Sequence, residues 1–425
     1  MRTLVQHATI VSDNHRFTGN VAIENGKIAF ISQEPLSAEA FDEVIDAQGL
    51  LMLPGVIDTH VHFRDPGYTH KGDMATESRA AAAGGVTTVM DMPNTLPATT
   101  SEEALLEKLH LAAEKSVIRM GFYLGATREN ASGLSTIDPS LYCGVKVFLG
   151  ASTGGMLLDE DEVLDNVFKT APKPIVAHCE DQELLTILYT RARGEYPLGD
   201  APIALHSQLR PAEACISATQ RAIALAEKHG TRLHIAHVST ADELEIIAAA
   251  SDNITAEACP NYLLFCEDDY QRLGARIKCN PAVKTAADRE ELRKGLADGR
   301  IYTIGTDHAP HRLSEKHGGA LRAASGIPMV QFSLPVMLDF AAQGLLSYEQ
   351  VVTLMCHHPA ELFGLSQRGY IRQGYEADFV LVAPHSPWTL TPNKILSRCN
   401  WSPLEGHTFH HRVVSTYIGG RKVYG

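Results

Sequence analysis

The sequence lacks the cysteine pairs, long apolar runs and basic leader that are typical of secreted or membrane-bound proteins. Its eight cysteines lie singly, without a C-x-x-C pair, as expected for free thiols in a reducing compartment. No apolar run approaches the roughly 18 residues of a membrane span. The first residues, MRTLVQHATIVSDNH, do not show the basic and then apolar pattern of a signal peptide. We therefore expect a cytoplasmic protein with no membrane partner.

The chain also has no block of basic residues. Its 425 residues include 37 Lys and Arg against 50 Asp and Glu, a formal net charge of -13 at pH 7. Because nucleic acids and anionic membranes attract basic surfaces, this balance argues against both as partners. Hydrophobic residues make up 44% of the chain, which is enough for a large core. We expect the protein to bind a small-molecule substrate and to form a homo-oligomer such as a dimer.

Strand and helix patterns alternate from Gly55 onward. No G-x-G-x-x-G follows the first strand, which disfavours an open nucleotide-binding sheet. Eight apolar strands separated by helical runs predict an α/β fold with a TIM-like (β/α)8 barrel at residues 54–366. The predicted strands are 56–62, 86–92, 117–125, 144–150, 174–179, 233–238, 254–259 and 302–307. The main predicted helices are 101–115, 159–170, 211–230, 286–297, 330–344 and 348–363.

Both ends of the chain show the pattern of short strands. Asn25-Gly26 lies between VAIE and KIAFI, a strong signal for a type I′ hairpin. Residues 370–384 and 411–425 resemble this opening segment, and no low-complexity linker separates them from the central region. We therefore predict one small β-sandwich domain formed by residues 1–53 and 367–425 together.

Two histidines, His60 and His62, stand at the end of the first predicted barrel strand. Alternate strand residues point the same way, so both imidazoles face one side. At the carboxyl end of barrel strands, that side is where active sites form. Two polar residues that merely close a strand would look the same, so this pair alone does not establish a metal site.

Three further polar residues strengthen the metal hypothesis. His178, His237 and Asp307 each stand near the end of a separate apolar strand. A buried strand has little reason to end in an imidazole unless something satisfies that group. Imidazole and carboxylate ligands that converge on a barrel mouth suit zinc.

Lys146 lies inside the apolar strand GVKVFLG, where an unpaired ammonium would be costly. One interpretation is a lysine that reaches the barrel mouth or pairs with an acid. The other is a deprotonated lysine that reacts with carbon dioxide, giving a carbamate able to bridge two metal ions. The spacing alone leaves both open.

Seven short motifs follow one another in order along the chain. They are DTHVHFRDPG (58–67), MPNT (92–95), GVKVFLGAS (144–152), AHCED (177–181), HVST (237–240), KCNPAV (278–283) and GTDHAPH (305–311). Together they resemble the dihydroorotases, in the cyclic amidohydrolase branch of the amidohydrolase superfamily. The resemblance implies reversible hydrolysis of L-dihydroorotate to N-carbamoyl-L-aspartate, a step of de novo pyrimidine biosynthesis, by a metal-bridging hydroxide.

The resemblance also implies the roles of the site residues. His60 and His62 would bind one Zn²⁺, His178 and His237 a second, and carboxylated Lys146 would bridge the two. Asp307 would bind the first zinc and act as general base and acid. Arg64, Asn94 and His311 would contact the substrate carboxylate, for which a guanidinium fork is well suited. Asn280 either contacts the ring amide or begins a turn before Pro281.

Three alternatives remain at this point. Allantoinases and dihydropyrimidinases or hydantoinases share the fold and metals, but Arg64 and His311 favour a substrate with a carboxylate. A non-catalytic scaffold for aspartate carbamoyltransferase would lack metal ligands, whereas every expected ligand type is present here. The run GASTG at 150–154 matches a nucleophile elbow around Ser152, although no His and acid can be assigned to serve it.

Overall fold

The computed structural model describes residues 2–150 and 155–425. Its amino-terminal part is a set of strands, β1 (Arg2–Ser12), β2 (His15–Glu24), β3 (Lys27–Ser32), β4 (Glu43–Asp46) and β5 (Leu51–Pro54). The predicted hairpin joins β2 to β3, with Glu24 paired to Lys27. Between them Asn25 and Gly26 have φ angles of 52° and 80°, as a type I′ turn requires. The hairpin prediction is confirmed.

Eight parallel strands follow and form a barrel that is nearly closed. They are β6 (Val56–Val61), β7 (Val86–Asp91), β8 (Arg119–Gly125), β9 (Gly144–Phe148), β10 (Ile175–His178), β11 (Leu233–Ile235), β12 (Ile254–Ala258) and β13 (Thr303–Ile304). Each strand pairs with the next in chain order, and a parallel bridge between Val61 and His308 links the two ends. All residues of β6, β7 and β9 are buried, as expected where helices cover a parallel sheet. The (β/α)8 prediction is confirmed, with strands somewhat shorter than the apolar runs.

The carboxyl-terminal strands complete a second sheet. They are β14 (Phe379–Ala383), β15 (Trp388–Thr389), β16 (Thr408–Phe409), β17 (Arg412–Ile418) and β18 (Arg421–Tyr424). Because β14 pairs with β5, both ends of the chain join in one eight-stranded sheet, ordered β18-β17-β14-β5-β1-β2-β3 with β4 beside β1. A separate two-stranded sheet pairs β15 with β16. The predicted β structure built from both termini is confirmed, and the domain bounds 1–53, 54–366 and 367–425 stay a prediction.

Most helices lie between the barrel strands, and several begin at a capping side chain. Asp73, Ser101 and Thr285 each accept a hydrogen bond from a backbone N–H of the first helical turn. The helices are α1 (Met74–Ala83), α2 (Glu102–Lys115), α3 (Asp161–Thr170), α4 (Gln182–Glu195), α5 (Leu205–Leu209), α6 (Ala212–His229), α7 (Ala241–Ala248), α8 (Pro260–Leu264), α9 (Tyr270–Leu273), α10 (Ala286–Asp298), α11 (Gly319–Arg322), α12 (Ser333–Ala342), α13 (Tyr348–Val352) and α14 (His358–Leu362). Within residues 2–150 and 155–425, no helix has the length and apolarity needed to cross a membrane.

Candidate active site

The predicted site residues meet around a small cavity at the carboxyl end of the barrel. Parallel strands bring their carboxyl ends to one rim, so residues far apart in the chain become neighbours. Nine of the ten predicted residues line this cavity: His60, His62, Arg64, Asn94, Lys146, His178, His237, Asn280 and Asp307. The tenth, His311, lies behind Arg64.

His60, His62 and Asp307 form what we call the first half-site. The Oδ1 atom of Asp307 lies 3.0 Å from His62 Nε2 and 3.5 Å from His60 Nε2. One ligand atom from each of the three residues lies within 4.8 Å of the others, the spacing of a metal-binding group. Burial alone would raise the pKa of Asp307. The hydrogen bond from His62 and the nearby imidazoles outweigh this effect and hold that pKa below its ordinary value. The carboxylate is therefore ionised at neutral pH.

His178 and His237 form the second half-site. Nδ1 of His178 lies 2.9 Å from Nε2 of His237, and the two rings are nearly perpendicular at 80°. Burial lowers the pKa of both groups, and neighbouring positive charge lowers that of His237 further. Two neutral imidazoles therefore present nitrogen atoms to one point, an arrangement suited to a shared cation.

Lys146 lines the same cavity as the two half-sites. Its side chain is completely buried, and no atom of the described residues accepts a hydrogen bond from its Nζ. That Nζ stands 5.1 Å from the centre of the Phe148 ring. Burial lowers the pKa of Lys146 to about 8, against the opposing effect of Glu257 and Asp307. A buried amine with no partner indicates that another group completes this part of the site.

Arg64 brings a fixed positive charge to the cavity wall. Its guanidinium donates to Pro310 O at 3.3 Å and lies 3.1 Å from His311 Nε2. In the described part of the chain, it forms no ion pair with a carboxylate within 4 Å. Burial and the charges of Arg64 and Lys71 lower the pKa of His311, so its ring is neutral. Arg64 is thus a buried cation on the cavity wall that is available to a negatively charged ligand.

The two predicted amide contacts have different surroundings. Asn94 uses Oδ1 to contact His62 Nδ1 at 2.8 Å, so this amide also orients an imidazole of the first half-site. Asn280 precedes Pro281, and its Oδ1 is buried with no hydrogen-bond partner among the described residues. An unsatisfied carbonyl on a cavity wall suits a ligand N–H.

Comparison with known proteins agrees with this geometry. A model described as the amidohydrolase family matches residues 51–423. The chain belongs to the amidohydrolase family. This amidohydrolase is 41% identical to a dihydroorotase from Halobacterium salinarum, over 84% of this chain and 82% of that protein. It is 34% identical to an allantoinase from Bacillus velezensis, over 99% and 93% respectively. Its structure matches that of an L-hydantoinase (dihydropyrimidinase) from Arthrobacter aurescens with a TM-score of 0.94 and 30% identity, covering 99% and 96% of the chains.

One carboxylate behind the site of this amidohydrolase was missed by the sequence-based prediction. Glu257 Oε1 lies 2.7 Å from His60 Nδ1 and accepts from the backbone N–H of His237 at 3.2 Å. Its other oxygen accepts from Thr59 Oγ1 at 2.7 Å. Glu257 therefore fixes the ring of His60 so that Nε2 faces the cavity. A signal for it exists in the sequence, since a glutamate inside the apolar strand ITAEAC is as unusual as the lysine of β9.

A second missed carboxylate orients the second half-site of the amidohydrolase. Glu180 Oε2 lies 2.8 Å from His178 Nε2, and the same oxygen forms an ion pair with Arg210. Burial alone would raise the pKa of Glu180, but Arg210 and His178 lower it to about 2. A carboxylate held ionised in this way keeps the proton on His178 Nε2 and leaves Nδ1 free to face the cavity. Arg210 is far away in sequence, and no local pattern marks it.

Three cavity residues of the amidohydrolase adopt left-handed backbone conformations. The φ angles are 67° at Arg64, 42° at His237 and 46° at Asp307. Residues other than glycine avoid this region because Cβ clashes with the backbone, at a cost of order 1–3 kcal/mol each. Such strain persists only where the surrounding fold enforces it, and it is concentrated at functional sites.

The nucleophile-elbow alternative concerns Ser152, which lies outside the described residues. The four histidines at the strand ends contact one another, Asp307 or the two carboxylates behind the site.

Proposed function

We propose that this amidohydrolase is a dihydroorotase, which reversibly hydrolyses L-dihydroorotate to N-carbamoyl-L-aspartate in de novo pyrimidine biosynthesis. The observation that carries the proposal is Arg64, a buried guanidinium beside the first half-site with no carboxylate partner among the described residues. Dihydroorotate bears a ring amide and a carboxylate, so it can place one at the imidazole cluster and the other at Arg64. Relatives named dihydroorotase at 41% and 34% identity support this substrate.

The other candidate reactions use the same fold. Allantoinase and hydantoinase relatives support hydrolysis of a cyclic amide, which is the part that all candidates share. Allantoin and simple hydantoins carry no carboxylate. In an enzyme for those substrates, no carboxylate would contact Arg64 directly, and its buried charge would meet just the longer-range attraction of Asp307, Asp91 and Glu315. This charge balance favours dihydroorotate.

The donor set fits two zinc ions held by this chain's own residues. His60, His62 and Asp307 would hold one ion, and His178 and His237 the other. The unpartnered Nζ of Lys146 lines the same cavity, and its carbamate would supply the negative charge that the second half-site lacks. Zinc in such a site provides Lewis acidity, which acidifies water and polarises a carbonyl group.

The protein side chains would then bind the substrate and move a proton. Arg64, with Asn94 and His311 beside it, would hold the substrate carboxylate and orient the ring. Asn280 Oδ1 would accept from the ring N–H. Asp307, ionised at neutral pH, would take a proton from the attacking water and deliver it to the ring nitrogen as the C–N bond breaks. In the reverse direction the same carboxylate would move the proton the other way.

The decisive test is Arg64→Ala, assayed with dihydroorotate, allantoin and hydantoin in parallel. We expect dihydroorotate turnover to fall by at least about a hundredfold, because a charge-assisted, bidentate contact is lost. Metal content measured by elemental analysis should stay the same. Arg312→Ala, which changes an exposed arginine near the same loop, is the matched control and should keep full activity. Unchanged dihydroorotate turnover in the Arg64 variant, or higher activity on allantoin in the unaltered protein, would refute the assignment.

Carboxylation of Lys146 has its own test. Native mass spectrometry of the metal-loaded protein should show the mass of one added carbon dioxide, which is absent in Lys146→Gln. That variant should also lose the metal of the second half-site and keep that of the first. An unmodified lysine with both metals bound would disprove the carbamate. Protein purified without chelator that contains no metal would instead favour the scaffold for aspartate carbamoyltransferase.

We also propose that the protein works in the cytoplasm as a homo-oligomer such as a dimer. The free cysteines support a reducing compartment. Size-exclusion chromatography with light scattering would measure the oligomeric state, and a monomer at micromolar concentration would contradict it.

A further inference from the structure

A second pocket opens beside the catalytic cavity, and we call it the side pocket. Ser325 lines both this pocket and the catalytic cavity. Its wall includes three cationic side chains, Arg193, Arg210 and Lys278, and no carboxylate. Arg210 also pairs with Glu180 behind the second half-site, whereas Arg193 and Lys278 have no part in the proposed catalytic machinery.

Lys278 is the most unusual of the three. It is almost completely buried, and the hydrogen bond of its ammonium goes to the carbonyl oxygen of Ala323. Burial, with the nearby charge of Arg210, lowers the pKa of Lys278 to about 8, and no acid contributes in the opposite direction. At neutral pH the side chain therefore still carries a positive charge.

A second buried ammonium stands behind the first. Lys316 Nζ donates to the carbonyl oxygens of Lys278, Ala324 and Gly326 at 2.7–3.0 Å, and none of these partners is charged. Burial lowers the pKa of Lys316 to about 7. Two buried lysine amines thus share one region with no acid paired to either among the described residues. Residues 1 and 151–154, which the structure does not describe, carry no carboxylate side chain that could pair with either lysine.

Two arginines complete the cationic wall. The guanidinium carbons of Arg193 and Arg210 each lie 5.8 Å from the centre of the Tyr189 ring, and Arg210 Nε donates to the Tyr189 hydroxyl at 3.3 Å. Glu180 neutralises Arg210 from the side facing His178. Arg193 is exposed and lines the pocket, and within residues 2–150 and 155–425 it has no such buried partner.

We propose that the side pocket is a binding site for a small oxyanion, held by Lys278 and Arg193 next to the catalytic cavity. A buried charge without a counter-ion is costly, and a bound carboxylate or phosphate group would supply the missing charge. The chain as a whole carries a net charge of -13, which repels anions, so a local cationic pocket is needed to concentrate them. If the proposed function is correct, the natural ligand is the carboxylate-bearing reactant waiting beside the cavity; anion binding itself does not depend on that function.

The test is calorimetric titration of the holoenzyme with inorganic phosphate and, separately, with succinate. Arg193→Gln and Lys278→Gln should each weaken binding about tenfold or more, because each removes a charge-assisted hydrogen bond. Arg191→Gln is the matched control, since Arg191 is exposed on the same helix α4 but does not line the pocket. Arg64→Ala should leave this binding unchanged.

The outcomes separate the site from the catalytic cavity. Absence of binding, unchanged affinity in both pocket variants, or loss of binding in Arg64→Ala would overturn the proposal. Thermal unfolding shows whether Lys278→Gln is folded. If it is not, the affinity of the variant at the exposed Arg193 tests the proposal by itself. Tighter binding of succinate than of phosphate supports a carboxylate reactant, and the reverse order overturns that identification. Neither titration requires turnover of dihydroorotate, so failure of the proposed function would be seen separately.

Discussion

The two half-sites lie in one cavity, yet they are built differently. The first half-site brings together two imidazoles and the carboxylate of Asp307, so it contains a complete set of three possible metal ligands. The second half-site has only the imidazoles of His178 and His237, with the unpartnered amine of Lys146 nearby. A cation in the first half-site meets a negative charge that the sequence supplies directly. The second half-site contains no carboxylate of its own, so a cation bound there would contact an anionic ligand only if Lys146 were modified.

The carboxylates behind the half-sites extend this contrast. Glu180 contacts only the second half-site, through His178. Glu257 contacts His60 of the first half-site through its side chain and His237 of the second through its backbone N–H. One carboxylate therefore supports a single half-site, and the other connects the two. The half-sites therefore share the support of Glu257 and the imidazole type of ligand, and they differ in that only the first contains a carboxylate.

The largest effect is expected from Asp307→Asn. The amide keeps the shape of the carboxylate but cannot accept a proton, so kcat should fall by about 10²–10⁴-fold. Metal at the second half-site should be retained, because Asp307 belongs to the first. Steady-state kinetics and elemental analysis measure the two effects, with Asp339→Asn, whose carboxylate contacts His407 and His410 outside the cavity, as the control. Full activity in the Asp307 variant would contradict the assigned role.

The next effect compares Glu180→Gln with Glu257→Gln. Loss of the carboxylate that orients a metal-binding histidine weakens metal affinity by about 10–100-fold. We expect Glu180→Gln to weaken one metal and Glu257→Gln to weaken both, because Glu257 contacts residues of both half-sites. Chelator competition with each variant measures the affinities without any activity assay. Identical affinity patterns in the two variants would remove the distinction between the half-sites.

The smallest effect concerns acid stability of the metal-depleted protein. Burial holds the pKa of His237 well below its ordinary value of 6.5, so below pH 6.5 the unfolded chain binds a proton that the native state does not. Stability therefore falls as the pH decreases from 6.5 to about 5, by on the order of 1–2 kcal/mol. His237→Gln should lessen this loss. The pKa of Asp307 is lowered from 3.8, so the stability that this carboxylate contributes is lost only below about pH 4. Between pH 6.5 and 5, Asp307→Asn should therefore lose as much stability as the unaltered protein.

Urea unfolding at several pH values measures these slopes. A loss of equal size in His237→Gln and in the unaltered protein would show that the second half-site does not contribute to acid sensitivity. A smaller loss in Asp307→Asn would show that the two half-sites titrate together, against the separation inferred from their geometry.

Much of this arrangement was predictable from sequence, because strand patterns are local. Apolar runs separated by helical segments identified all eight barrel strands, and polar residues at the strand ends identified five residues of one cavity, His60, His62, His178, His237 and Asp307. Lys146 was marked by its place inside an apolar strand, whereas Arg64, Asn94 and Asn280 came from the family resemblance. The strand period of two and the common direction of parallel strands are enough for that inference. The identity of His60, His178 and Asp307 as neighbours follows from the same rule.

The tertiary structure alone decided which atoms face the cavity. Glu257 lies 197 residues from the His60 ring that it orients, and Arg210 lies 30 residues from Glu180. No sequence period relates such pairs, because they meet only when the barrel closes. No sequence period predicts the left-handed backbone at Asp307 either. The buried amines of Lys278 and Lys316 contact carbonyl oxygens and no acid among the described residues, and this depends on every chain segment packed around them. The strands and the residue types at their ends therefore follow from local sequence patterns, whereas the protonation, orientation and charge balance of those residues arise when the chain folds.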